Sequence, residues 1–153
     1  MNIEALQAQL LNLQKTNPLE FAILMLVLLF CVLGQLRYYL TLQRTMEAVS
    51  PSLRPFSSRL IWLALIPIPG VIWYIAYILM LSLALKKELA LRQLPGDGAL
   101  GISLLTSVLL GLTMLPGLSM QVALPAMAML IMHWIRMAGL RKLLADPVYL
   151  LVD

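Results

Sequence analysis

Residues 99–135 read ALGISLLTSVLLGLTMLPGLSMQVALPAMAMLIMHWI, 37 residues without a charged side chain. At 1.5 Å of rise per residue this is too long for one bilayer crossing and sufficient for two of about 18 residues. Leu115-Pro116-Gly117-Leu118-Ser119 supplies the hairpin turn between them. Within the first of the two, Ser103, Ser107 and Gly111 recur every four residues, a small-residue stripe that lets a neighbouring helix approach closely. Pro125 falls early in the second, where a missing N–H is least disruptive. Arg136, Arg141 and Lys142 mark the return to water.

The whole composition agrees. Of 153 residues, 61% are hydrophobic and 12% charged, and the mean hydropathy is +0.91. Soluble domains carry roughly twice that share of charge, and so short a chain buries too little surface to hide the excess. Lipid is therefore the expected solvent. The net charge of +4, from 11 Lys and Arg against 7 Asp and Glu, sits in the gaps between apolar segments, as the positive-inside bias requires. No basic stripe interleaved with exposed aromatics is present, so no nucleic-acid partner is expected.

Upstream lies a second uncharged run, 60–85, interrupted by Pro67-Ile68-Pro69-Gly70. Two prolines and a glycine break a helical ladder, so a helix, a break at Pro67, Pro69 and Gly70, and a second helix are expected. Broken helices persist at membrane depth only where protein or a cavity covers the freed backbone. Trp62, Trp73, Tyr74 and Tyr77 flank the break. Lys86, Lys87, Glu88 and Arg92 are expected to end this segment in water, followed by a turn at 94–98. Residues 96–101, GDGALG, match a dinucleotide-binding fingerprint literally, but apolar helical sequence on both sides replaces the βαβ unit that motif needs. It reads as a turn.

The first apolar segment, 19–36, is introduced by Asn17-Pro18-Leu19-Glu20, an N-cap, a proline at the first helical position and an acid at the third. Glu20 is accordingly assigned to capping, not to an ion path. With no breaker before Ser50-Pro51, the helix is expected to continue past the bilayer, with Arg37, Tyr38 and Tyr39 at the interface. Cys31, the sole cysteine, reads as a small buried hydrophobe. Ahead of this segment, Ile3, Leu6, Leu10 and Leu13 share one face of a short amphipathic helix suited to the membrane surface. Neither a secretory signal nor a lipidation motif is expected. The organisation expected is therefore 1–16 as a surface helix, 17–49 as the first membrane helix with its extension, and 50–153 as the broken segment, the membrane hairpin and a short tail. The fold class is an all-α integral membrane bundle of four apolar segments.

Basic residues distinguish two topologies. Four plain crossings place seven of them on one side. If 60–85 dips in and returns on the same face, ten of the eleven are cytoplasmic and Lys15 alone is not. The positive-inside rule favours this re-entrant arrangement, with the C-terminus in the cytoplasm.

Chemistry has little to work with. One His, one Cys and no acid inside an apolar run cannot assemble a zinc or bis-histidine haem site, so no cofactor, no metal and no enzyme activity are expected. The one constellation is Met129, Met132, His133 and Met137, spaced as a helical face whose thioethers and imidazole suit Cu(I); packing is the commoner use of methionine.

Two stretches carry a resemblance. Ser58-Arg59-Leu60-Ile61-Trp62-Leu63-Ala64-Leu65-Ile66-Pro67, followed by Gly70 and Trp73, and the ending Trp134-Ile135-Arg136-Met137-Ala138-Gly139-Leu140, resemble a loose group of small bacterial membrane proteins of unknown function, with a W-L-x-L-I-P broken helix and a W-x-x-x-A-G final helix. The resemblance implies a bacterial inner-membrane protein and supplies no activity. From the residues, the expected role is a non-catalytic accessory or scaffolding subunit of a larger membrane complex, its partners being lipid and other membrane subunits. A small oligomeric transporter or channel using the broken helix is the alternative, and Cu(I) handling a remote one.

Overall fold

The computed structural model describes residues 3–66, 69–115 and 117–145, apart from the side chains of Leu6 and Leu10. Pro67 and Pro116 lie outside that range, as do two members of the expected amphipathic face. Among the described residues every regular element is helical, with no strand. Helices α1 (Ile3–Thr16), α2 (Pro18–Ala48), α3 (Pro69–Leu91), α4 (Leu100–Leu112) and α5 (Ser119–Ala145) are joined by a 3-10 turn at Pro51–Leu53 and a 3-10 helix at Ser58–Leu65.

Three of these, α2, α3 and α5, are long and apolar enough to cross a membrane. The run 99–135 is not divided equally, as its length suggested. Helix α4 has 13 residues, about 20 Å at helical rise, while α5 has 27 and runs through Pro125.

Two compact units divide the chain, Met1–Arg37 and Tyr38–Asp153. In the first, α1 runs almost directly into α2: Asn17 N–H donates to Leu13 O at 2.8 Å and Phe21 N–H to Asn17 O at 3.1 Å. The most apolar window of α2 has none of its residues buried, and the consecutive residues Ile23, Leu24, Met25 and Leu26, each about 100° further round the helix, all stand exposed. Cys31 is exposed too, contrary to the buried reading; a helix apolar all round keeps no inner face for it.

The second unit is a bundle whose core gathers Leu42 and Met46 from α2, Ile61 from the 3-10 helix, Tyr77, Ile78, Leu81, Leu85 and Leu89 from α3, and Met137 from α5, all fully buried. Its path follows from a few contacts. At the end of α2, Ser50 donates its N–H and its hydroxyl to the Glu88 carboxylate near the end of α3, at 3.0 and 2.9 Å. From there the chain climbs beside α3: Tyr77 O–H donates to Ser58 O at 3.0 Å, Trp73 Nε1–H to Leu60 O at 2.6 Å, and Gly70 N–H to Ile66 O at 2.9 Å. Helix α3 then descends to the starting level, so 50–91 leaves and returns at one end of the bundle. At that end Arg92 also donates to Leu144 O of α5 at 2.9 Å.

Two glycines make this path possible. A Cβ on Gly70 would stand 2.5 Å from Ala64 O, so only glycine lets the climbing strand of chain lie against the start of α3. Gly98, at φ +67, seats the α3–α4 loop on α3, where a Cβ would overlap Ser82 O and come within 2.5 Å of Lys86 N. The loop then enters α4 through Asp97, whose carboxylate accepts the N–H of Ala99 at 3.0 Å and of Gly101 at 3.4 Å.

Candidate functional site

Apolar helices offer few polar side chains, and in this bundle five of them meet in a row. Tyr38 of α2, Tyr74 and Ser82 of α3, Ser103 of α4 and His133 of α5 are all buried, three of them completely. Tyr74 Oη lies 2.6 Å from Tyr38 Oη, which lies 2.8 Å from His133 Nδ1. On the far side of the imidazole, His133 Nε2 is 2.9 Å from Ser103 Oγ, itself 2.6 Å from Ser82 Oγ. The row thus begins and ends on α3, two turns apart, and passes through α2, α5 and α4 between.

Aromatic rings wall this row. The Tyr38 ring meets His133 edge-on at 6.0 Å and Trp134 at 6.1 Å, and Tyr39 packs against Trp62 and Tyr74. Trp134 Nε1–H donates to Thr41 Oγ1 at 3.0 Å, a second polar link from α5 to α2. Ser107 O–H turns back to Ser103 O at 2.8 Å. Among the described residues every buried side-chain nitrogen and oxygen has a hydrogen-bond partner.

Hydrogen counting defines what the row can do. Four hydroxyls and a neutral imidazole hold five donor hydrogens for four links. With Nε2 protonated, Tyr74 donates to Tyr38 and Tyr38 to Nδ1; with Nδ1 protonated, Ser82 donates to Ser103 and Ser103 to Nε2. The link on the other side of the ring can then run either way, and one hydrogen is spare there. The contacts at Ser103, His133 and Tyr38 also have the lengths of a nucleophile, base and orienting group. Yet Ser103 has no exposed surface, and Ser82 occupies its oxygen. No substrate carbonyl reaches it as folded.

A second polar cluster lies at the basic end. Glu88, placed in water by the sequence reading, is fully buried. Its carboxylate accepts from Ser50 and pairs with Arg92 at 2.7 Å. The charge is carried inward because Arg92 and Ser50 satisfy it there.

Of the residues singled out from sequence, Ser103 and Ser107 face the bundle interior, whereas a Cβ on Gly111 would meet no atom within 4 Å. Pro69 opens α3 and Gly70 meets Ala64. The methionine–histidine face does not assemble. Both imidazole nitrogens are engaged by hydroxyls, and Met132 is 53% exposed while Met137 is fully buried. Five residues separate these two methionines, about 140° around a helix, so they look in different directions. Among the described residues no three His, Cys, Asp or Glu side chains converge as metal ligands do.

Sequence reading missed Tyr38 and Ser103 as partners of His133, and Tyr74 and Ser82 behind them, having set Tyr38 at the membrane interface and Tyr74 beside the helix break. One usable signal was present. Ser82, Ser103 and His133 are polar residues within three of the four apolar segments, and such residues usually turn inward to one another. No protein-family model, no curated protein and no solved structure matches this chain.

Proposed function

We propose that this protein is a non-catalytic accessory subunit of a larger membrane protein complex, seated in a bacterial inner membrane. The observation that carries the reading is the contrast between its two units. The bundle is closed on itself: its polar side chains are spent on one another, and the backbone freed around the 3-10 helix is taken up by Trp73 and Tyr77. A transporter would hold such backbone dipoles ready for substrate; here aromatic side chains occupy them. The first part of α2, by contrast, is apolar on every side and contributes nothing to a core. A long helix with no buried face in its own unit is available to lipid and to the helices of other subunits.

Four apolar segments fit this reading, with 50–91 as a re-entrant hairpin. Ser50 and Glu88 sit together, so this segment enters and leaves on one face. The ends of α2, α3 and α5 then gather on that face with Arg54, Lys86, Lys87, Arg92, Arg141 and Lys142 near them, a basic excess that supports a cytoplasmic side for this face and for the C-terminus.

Purification from the native membrane in mild detergent, with mass spectrometry of co-migrating proteins, tests the proposal. A partner at fixed stoichiometry is the expected result. A chain that runs alone or only with itself overturns it.

A further inference from the structure

On α3, Met80, Leu83, Ala84 and Lys87 follow the i, i+3, i+4, i+7 spacing of one helical face. Leu53 and Pro55 from the connecting segment lie across from them, and the six residues line a groove of about 210 Å³. Five are apolar; the sixth, Lys87, closes the groove at its basic end. We propose that this groove binds one anionic phospholipid, its phosphate at the Lys87 ammonium and part of an acyl chain over Met80, Leu83 and Ala84.

Charge selects the headgroup. Lys87 is exposed and in no ion pair among the described residues, and Lys86 stands exposed beside it. Arg54, between Leu53 and Pro55, is pinned by bonds from its Nε to Val49 O and from a terminal nitrogen to Glu47 O. Of the nearby acids, Glu88 is turned inward onto Ser50 and Arg92. The Glu47 carboxylate is engaged by Gln43 and Ser58. Neither opposes a phosphate at Lys87. Basic residues at the end of a spanning helix, above an apolar groove, are the arrangement that holds acidic headgroups while the chain stays in hydrocarbon.

The site rests on the membrane reading alone and not on the accessory-subunit role, so a chain found to run without partners would overturn that role and leave this site untouched. Native mass spectrometry of the full chain, titrated in detergent with phosphatidylglycerol or phosphatidylcholine of the same acyl chains, tests it. One phosphatidylglycerol is expected to be retained at least tenfold more tightly than phosphatidylcholine. At roughly 1 kcal/mol per basic residue near a headgroup, Lys87→Gln weakens it about fivefold. Lys87→Arg retains it, and Lys142→Gln, on α5, changes nothing. Equal retention of the two lipids overturns the proposal. So does a preference that Lys87→Gln leaves undiminished, or one that is lost with Lys142→Gln instead.

Discussion

Tyr38→Phe removes one oxygen from the centre of the bundle and leaves the ring in place, which makes it the sharpest probe of the polar row. That oxygen serves two partners, Tyr74 at 2.6 Å and His133 at 2.8 Å. Its loss leaves a phenol and an imidazole nitrogen each short of a bond in a site with no exposed surface. Each unsatisfied group costs about 1–3 kcal/mol in a protein interior, and bonds between membrane helices average nearer 0.6 kcal/mol. The loss expected for Tyr38→Phe is about 2 kcal/mol. Reversible unfolding in mixed micelles, titrated with denaturing detergent and followed by tryptophan emission, reads it, because Trp134 packs on Tyr38. The same variant on a His133→Ala background has only the Tyr74 bond left to lose. The two substitutions are then non-additive by about 1 kcal/mol. A loss below about 0.5 kcal/mol for Tyr38→Phe, or additivity within about 0.3 kcal/mol, refutes the claim that this row binds the helices together.

Other substitutions test the remaining contacts. Gly98→Ala places a Cβ against the α3 backbone at φ +67 and is expected to cost more than about 3 kcal/mol. Gly111→Ala meets nothing and is expected to be neutral or to stabilise by up to about 1 kcal/mol through helix propensity; thermal denaturation of both variants ranks them. Glu88→Gln breaks a buried pair that ties α2, α3 and α5, and unfolding of that variant should show a loss of about 3 kcal/mol. Asp97 is held below the usual carboxylate range, first by the Ala99 N–H bond and then by Gly101, with Arg136 adding a weaker pull. A carboxylate depressed in the folded state contributes stability above its ordinary value, about pH 4, and loses it as pH falls through the folded value. Stability measured from pH 5 downward is therefore expected to decline less steeply in Asp97→Asn than in the parent.

How much of this was legible beforehand depends on which property of a residue a sequence exposes. Uncharged length is read directly, and the apolar stretches of α2, α3 and α5 lie where the runs 19–36, 60–85 and 99–135 placed them. The direction in which a side chain points is not read directly when apolar residues surround it on every side. Tyr38, Tyr74 and Tyr77 carry the signature of interfacial anchors, yet all are buried: Tyr77 donates to Ser58 O of the climbing segment, and Tyr38 and Tyr74 meet each other with His133 beside Tyr38. Glu88 stood in a run of charges that ordinarily faces water. Only the return of the chain to Ser50, through a segment with little periodicity of its own, gives its carboxylate an interior partner. His133 shared a helix with several methionines, and their spacing suggested a ligand face; the hydroxyls that engage it come from two other helices, up to 95 residues away in the chain. Such pairings are tertiary facts, and one-dimensional periodicity carries no trace of them.

The sole cysteine lies on the exposed, apolar part of α2 and gives the most direct access to the central claim. A photoreactive maleimide attached to Cys31 in native membranes, then irradiated, reports what covers that helix. An accessory subunit predicts one discrete protein adduct, formed with the same protein that co-purifies at fixed stoichiometry. Adducts to lipid alone, at Cys31 and at cysteines placed on the other sides of α2, would contradict the account.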